Sequence, residues 1–371
     1  MHILYIFGYK YTLETWFSSG ALERELKFFN KMWEDYKISY TLITYGCIKD
    51  LNIDLPKNVN VIPMFPTSVN LKSTFSMFVN SFLFPLKTFR SLDKIDLIRT
   101  NQLNGSWLAI LFKLLLKKPL YLRTGFDQYL FAKYDKKNKL KILFFYLLTK
   151  LSLKICDIYT STSESDINFL TQTFNNKDKV FYRPNWVDLK NNPKSINKRE
   201  YKFMSAGRLE DQKNFQLIIN AFSDAEDEIT IIGNGSKKYY LVELAKVLKV
   251  KLNMISNLSH NSFISKLENA KFFILASTHE GNPKVLLEAM SLGCIPIVSD
   301  IKNHTEIIQN GINGFTFKNN DLESLKLVLN KVVKLKNINE ISENSSNHVK
   351  LNNSLNNLTR QEYEDYLQLL N

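Results

Sequence analysis

Two carboxylates, Glu280 and Glu288, stand eight residues apart in the stretch THEGNPKVLLEAM, Thr278 to Met290. Pro283, whose fixed φ suits a first helical turn, and the helix formers Val285 to Met290, with no breaker before Gly293, predict a helix that starts between them. Glu280 then lies on the loop where unpaired N–H groups and the positive end of the helix dipole point outward, and Glu288 lies inside the helix. That arrangement suits a phosphorylated sugar, with N–H groups of Gly281, Asn282 and Lys284 for phosphate and the carboxylates for hydroxyls. A solvated loop Glu and an unrelated helix Glu share the same spacing, so the pair alone decides nothing. Upstream, Arg208 ends a predicted strand and Lys213 follows in the loop before a helix, the crest at which α/β sheets bind ligands. Glu210 and Asp211 between them could simply be their surface partners.

Four further blocks set these residues in context. SAGRLEDQKNFQLIINAF carries Arg208 and Lys213, AMSLGCIPIVSD follows Glu288, NGINGFTF lies downstream, and RPNWVD lies upstream of them all. Together with EGNPKVLLE they resemble, in order, the motifs of the retaining glycosyltransferases of the GT-B fold, family four (group 1), over roughly Tyr159 to Asp321. The resemblance implies that Glu280 contacts donor-sugar hydroxyls and Glu288 the ribose hydroxyls. It also implies that the first turn, Gly281, Asn282, Pro283, Lys284 and Val285, binds the donor, with backbone N–H groups from all but the proline. Arg208 and Lys213 would neutralise the departing diphosphate, so that no metal is required. Retention is expected without a named covalent nucleophile. Gly20, in SSGALERE, resembles the glycine of the family's first loop, where phosphate nears a helix N-terminus. A plain helix-start glycine fits that position as well. Where many relatives carry a histidine, this chain reads YLRTGFD, with Arg123, Gly125 and Asp127, which puts any His-dependent step in doubt.

Composition narrows the alternatives. At 371 residues, 44% hydrophobic, two buried cores are expected. The net charge of +13 favours anionic partners, but no zinc finger, RNP-type aromatic motif or single-strand-binding stripe converts it into nucleic-acid recognition. Three cysteines without paired spacing imply neither a disulfide framework nor a zinc site, and a reducing cytosol fits. His2, His260, His279, His304 and His348 show no metal-ligand spacing, and His279 beside Glu280 is as consistent with packing as with the sugar pocket. Gly233-Asn-Gly235 hints at a dinucleotide turn, but Lys238 occupies the third glycine position. The start HILYIFGY reads as a first strand rather than a signal peptide, and the apolar runs Leu108–Leu116 and Ile142–Leu148 fall short of the ~20 residues that span a bilayer.

Strands and helices alternate along the chain, predicting an α/β GT-B architecture of two Rossmann-like, doubly wound domains facing a cleft. The expected bounds are residues 1–190 for an N-terminal acceptor-binding domain, 191–200 for a linker rich in Asn191, Asn192 and Pro193, and 201–355 for a nucleotide-sugar-binding domain. Residues 356–371 are expected to form a C-terminal helix crossing back to the first domain, opened by a Thr359–Glu362 capping box. Ile338 to Leu358, rich in Asn and Ser, reads as a weakly structured connection.

The function expected is transfer of a hexose or N-acetylhexosamine from a UDP- or GDP-sugar to a surface-glycan or lipid-linked acceptor, with base contacts around Asn257 to Asn261. The donor is a substrate, and no cofactor is expected. A 2-epimerase on the same fold and a non-catalytic basic membrane module are the competing readings. Lysines mixed with Leu, Ile and Phe in Leu111–Lys118 and Lys136–Lys154 predict a cytoplasmic protein attached peripherally to an anionic membrane surface.

Overall fold

The structure is a computed structural model that describes residues 1–92, 94–189, 194–256 and 258–371. The chain forms two compact units, Met1–Arg183 with Asn356–Asn371, and Pro184–Leu355. Asn191, Asn192 and Pro193 of the expected linker lie outside the described residues, as does Asn257.

In the first unit the chain runs β1 (His2–Ile6), α1 (Leu13–Ser18), α2 (Ala21–Tyr36), β2 (Ser39–Cys47), α3 (Ile48–Leu51), β3 (Val59–Phe65) and α4 (Thr74–Thr88). It continues as β4 (Leu97–Thr100), α5 (Ser106–Leu116), β5 (Leu120–Arg123), α6 (Gln128–Tyr134), α7 (Lys139–Ile155), β6 (Ile158–Ser161), α8 (Glu164–Phe174) and β7 (Val180–Tyr182). The seven strands are parallel in the order β3-β2-β1-β4-β5-β6-β7. Helices cover both faces of such a sheet, so β4, β5 and β6 are fully buried and β1 and β2 nearly so, while the edge strands β3 and β7 are partly exposed. Leu4, Ile43, Ile98 and Leu122 accordingly sit in one core with Leu108 and Phe112 of α5.

The second unit comprises β8 (Tyr201–Ala206), α9 (Phe215–Ala221), β9 (Ile229–Ile232), α10 (Lys238–Val247), β10 (Leu252–Ile255), α11 (His260–Leu267) and β11 (Ala270–Leu275). It continues with α12 (Lys284–Ser291), β12 (Ile295–Ser299), α13 (Lys302–Thr305), β13 (Phe315–Phe317), α14 (Leu322–Val332) and α15 (Ile338–Asn352). Its six parallel strands take the order β10-β9-β8-β11-β12-β13. The order reverses between β8 and β11, which opens a crevice at their carboxyl ends where α/β sheets hold ligands. The two-domain α/β expectation holds.

Two expectations near the C-terminus do not. Ile338 to Leu358 is helical for most of its length, because α15 buries Ile341, Ser342, Ser345, Ser346 and Val349 along one face. The Ser342 hydroxyl donates to the Gly293 carbonyl at 2.6 Å, Ser345 to Cys294 at 2.9 Å and Ser346 to Ser291 at 3.4 Å. The helical period is present but written in serines, which satisfy carbonyls at the end of α12 rather than fill an apolar core. The Thr359–Glu362 capping box is likewise absent. The last helix, α16 (Leu355–Leu370), starts earlier, and the Thr359 hydroxyl donates to the Asn356 carbonyl within it. The expected linker end is also ordered: Arg199 donates to the carbonyls of Lys194, Ala270 and Leu292, which ties it to the second unit.

Glu362 instead anchors α16 in the first unit, as the crossing-helix expectation requires. Its carboxylate is fully buried, takes two hydrogen bonds from Arg99 at 2.9 and 3.1 Å, pairs with Arg123 at 3.3 Å and accepts from the Tyr366 hydroxyl at 2.9 Å. Burial alone pushes this carboxyl up, but the two guanidiniums and the hydrogen bonds hold it below the usual range. A depressed pKa stabilises the fold above the unfolded value of about 4.3 and loses that contribution as pH falls through the folded value. Glu362→Ala leaves two buried guanidiniums short of a partner and is expected to cost ~3–5 kcal/mol. Urea denaturation at neutral pH, with the deficit shrinking in acid, checks this.

Candidate active site

The loop after β8 and the loop after β11 leave adjacent strands at the point of reversal, and each carries one member of a charge pair. Lys213 ends a short 3₁₀ turn, Asp211–Lys213, and its ammonium hydrogen-bonds the Glu280 carboxylate. The two side chains are only 12% and 9% exposed. Burial raises the Glu280 carboxyl, yet Lys213 beside it, with smaller contributions from Ser277 and His304, keeps it below the ordinary carboxylate range. Glu280 is therefore ionised at neutral pH and accepts hydrogen bonds. The Thr278 N–H donates to the Gln212 carbonyl at 2.9 Å and the Gln212 side chain donates to the His279 carbonyl at 2.7 Å, which fixes the two loops together.

Glu210 and Asp211 are not the partners of Arg208 and Lys213. Glu210 accepts from the Ser236 N–H and hydroxyl, and Asp211 pairs with Lys237 at 3.0 Å. Both partners come from the turn that holds Gly233 and Gly235. A Cβ at Gly233 would lie 2.0 Å from the Gly207 carbonyl oxygen, and one at Gly235 would lie 2.6 Å from that of Leu209. These glycines serve close packing of one loop on another, which explains the dinucleotide-like spacing without a dinucleotide. Arg208 is exposed at the carboxyl end of β8, and among the described residues no carboxylate lies within ion-pair distance of it.

The predicted helix after Glu280 is α12. Its N-cap, Pro283, provides no side-chain cap to the first turn. Gly281, Asn282 and Pro283 are buried, while Lys284 and Val285 are half-buried. The Asn282 side chain accepts from the Asn185 N–H at 3.1 Å, and the Asn185 amide donates to the Asn282 carbonyl at 2.7 Å. Asn282 thus braces the turn through its side chain, in addition to the N–H proposed from sequence. Glu288 sits one turn into α12, 3.0 Å from Nε2 of His260, the first residue of α11.

Two histidines emerge that spacing did not single out. His260 adjoins Glu288 only through the fold. His304 on α13 is fully buried, directs Nδ1 to the Ser299 carbonyl at 2.9 Å, and has a pKa pushed down to about 4 by burial, against the pull of Glu280. It is neutral at physiological pH, and no hydrogen-bond partner meets its Nε2 among the described residues. No sequence signal marks either residue, because both contacts cross elements.

Residues 188–349 match the family model described as glycosyl transferases group 1. The match falls within the second unit and likens it to the group 1 glycosyl transferases. The chain is 29% identical over 198 residues to the UDP-Gal:alpha-D-GlcNAc-diphosphoundecaprenol alpha-1,3-galactosyltransferase of Escherichia coli, covering 46% of this chain and 49% of that protein. It is 26% identical over 249 residues to the capsular polysaccharide biosynthesis glycosyltransferase CapH of Staphylococcus aureus, covering 62% and 67%. HepE of Anabaena, solved in complex with UDP, shares its GT-B fold with a TM-score of 0.76 over 99% of this chain and all of that one, at 14% identity.

The remaining sequence candidates lie in the first unit. Gly20 joins α1 to α2 with a φ of 72°, and that left-handed turn by itself accounts for the glycine. Arg123 is committed to Glu362. Asp127 is buried, N-caps α6 through the Leu130 N–H at 2.6 Å, and donates its own N–H to Asp166 at 2.9 Å. Burial, with the Asp166 charge adding to it, pushes the Asp127 carboxyl up to about 7. The folded state then holds a proton that the unfolded chain releases near pH 3.9, so this group's contribution to stability falls as pH rises from about 4 to 7. Asp127→Asn keeps the capping oxygen and removes the charge. The margin by which its urea midpoint exceeds the parent's is expected to widen as pH rises from about 4 to about 7 and to level off above that.

Proposed function

We propose that the protein is a glycosyltransferase that moves a hexose or N-acetylhexosamine from a nucleotide-diphosphate sugar to a polysaccharide or lipid-linked glycan acceptor, with retention of configuration and without a metal ion. The observation that carries this reading is Glu280, held ionised by Lys213 at the point of strand reversal, immediately before the uncapped N-terminus of α12 that carries Glu288. The acceptor class is supported by the lipid-linked and capsular substrates in the names of the bacterial relatives, and a nucleotide donor by the UDP bound to the similarly folded HepE.

In this reading the ionised Glu280 accepts hydrogen bonds from sugar hydroxyls, and Glu288, steadied by His260, accepts from the ribose. The diphosphate lies against the first turn of α12, with Arg208 and Lys213 as counter-charges. As the bond between the anomeric carbon and the phosphate oxygen breaks, negative charge accumulates on the leaving diphosphate, where fixed cations and backbone dipoles act most strongly. Lys213 already stands in the site as the partner of Glu280, so little reorganisation separates its resting position from that role. The acceptor oxygen attacks from the face the diphosphate leaves, and its proton passes to the departing phosphate oxygen, which balances the exchange.

Thermal-shift screening of UDP- and GDP-sugars is expected to reveal one stabilising donor, by RT ln(1 + [L]/Kd). With that donor, Lys213→Ala should lower kcat by ~10²-fold or more in folded protein, because a group acting on transition-state charge is lost. Glu288→Ala should act mainly on KM, since a ribose contact is the same in ground and transition states. Activity that disappears with EDTA and returns with Mn²⁺ would overturn the metal-independent part. Release of free sugar without acceptor would point to an epimerase instead.

A further inference from the structure

Three helices of the first unit, α4, α5 and α7, contain no acidic residue. Each packs an apolar face inward, as Met77, Phe84, Phe112, Phe145 and Leu148 show. Two of them then present a second apolar face to solvent. On α4 the exposed residues are Phe75, Phe78, Val79, Phe82, Leu83 and Leu86, at the three-and-four spacing of one helix face, with Phe75 76% exposed. On α7 they are Leu140, Leu143, Phe144, Leu147 and Leu151, with Leu140 78% exposed. A helix apolar on both sides belongs in a core unless a partner covers the outer face.

The two faces form one surface. Trp107 of α5 lies between them, with ring centroids 5.7 Å from Phe78, 6.3 Å from Phe82 in a stacked geometry, and 6.1 Å from Phe144. The Trp107 indole N–H donates to the Ser81 hydroxyl at 2.7 Å, which fixes the ring in place. Exposed lysines border the surface: Lys87 on α4, and Lys139, Lys141, Lys150 and Lys154 on α7. The segment expected from sequence, Leu111–Lys118, adds only Leu114 as an exposed large apolar residue, because α5 is mostly core; α4, which has few charges and was not singled out, takes its place.

We infer that the outer faces of α4 and α7, joined through Trp107, dock on the surface of an anionic lipid bilayer. Apolar side chains enter the boundary between headgroups and acyl chains while the bordering lysines meet anionic headgroups. No helix among the described residues is long and apolar enough to cross a membrane, so contact is interfacial. Charge selects this occupant over a second copy of the chain, since two such faces would bring lysines together with no carboxylate from these helices to pair with them. The inference does not depend on the transferase reading, because docking is measured without donor or acceptor.

The test is co-sedimentation of the full chain with phosphatidylcholine vesicles, with and without phosphatidylglycerol, at low and high salt. The expected result is binding that requires the anionic lipid and weakens with salt. Binding should fall by at least ~10-fold in Phe75→Ser/Leu86→Ser, in Leu140→Ser/Leu147→Ser and in Lys139→Glu/Lys141→Glu. All of these side chains are exposed, and circular dichroism with thermal melts confirms folding of each variant. Absence of wild-type binding, equal binding to neutral vesicles, unchanged binding in the folded variants, or self-association abolished by these substitutions without vesicle binding would each overturn the inference.

Discussion

The second unit is organised around one buried ion pair, Lys213 with Glu280. The partners are 67 residues apart in sequence and meet because β8 and β11 are neighbours at the reversal of strand order. A carboxylate buried to this degree costs several kcal/mol unless it is paired, so the loop of Lys213 and the loop of Glu280 are held to a common geometry. The backbone bond between Thr278 and Gln212 and the Gln212–His279 contact follow from that constraint, and the Gly233–Gly235 turn packs under the first loop because it lacks side chains there.

The helix that follows Glu280 is fixed at one end and open at the other. At the carboxyl end of α12 and in the turn beyond it, Ser346, Arg199, Ser342 and Ser345 satisfy the carbonyls of Ser291, Leu292, Gly293 and Cys294 respectively. At its amino end no side chain caps the first turn. Carbonyls satisfied by protein at the carboxyl end hold the helix and the turn beyond it rigidly in place. Glu288, one turn in, is held by His260 on a separate helix, so both carboxylates of the motif have a basic partner.

The first unit uses the same device for a structural end. Arg99 and Arg123 would be costly inside a parallel sheet, and Glu362 on the last helix meets both, which ties the chain terminus to the strands β4 and β5. Arg99 also lies 4.7 Å over the Tyr5 ring and 5.3 Å from that of Phe28, so the guanidinium is packed as well as paired. Arg183 adds a second link through Asp365 at 2.9 Å. The interior is thus fixed by ionic contacts, whereas the outward faces of α4 and α7 retain more apolar surface than the unit itself covers.

The amino-acid sequence by itself determined the alternation of strands and helices, because parallel strands buried on both sides must be short apolar runs, and Ile229–Ile232 and Phe272–Ala276 read as such. It also determined the start of the helix between Glu280 and Glu288, since Pro283 fits only the beginning of a helix, and it brought out Lys213 and Glu280 as charged residues at strand ends. It did not determine α15, because a helical face of serines has no hydrophobic period, nor the role of Glu362, whose capping-box spacing was coincidental once Leu355 opened the helix. Only the tertiary structure decided which charges pair. Lys213 chose Glu280 over the nearer Glu210 and Asp211, Arg123 chose Glu362, and His260 chose Glu288, since strand order sets proximity and burial sets the strength of each pair. The same holds for the apolar surface: helical spacing gives each of α4 and α7 two faces, and only the packing around Trp107 decides which of them is left outside.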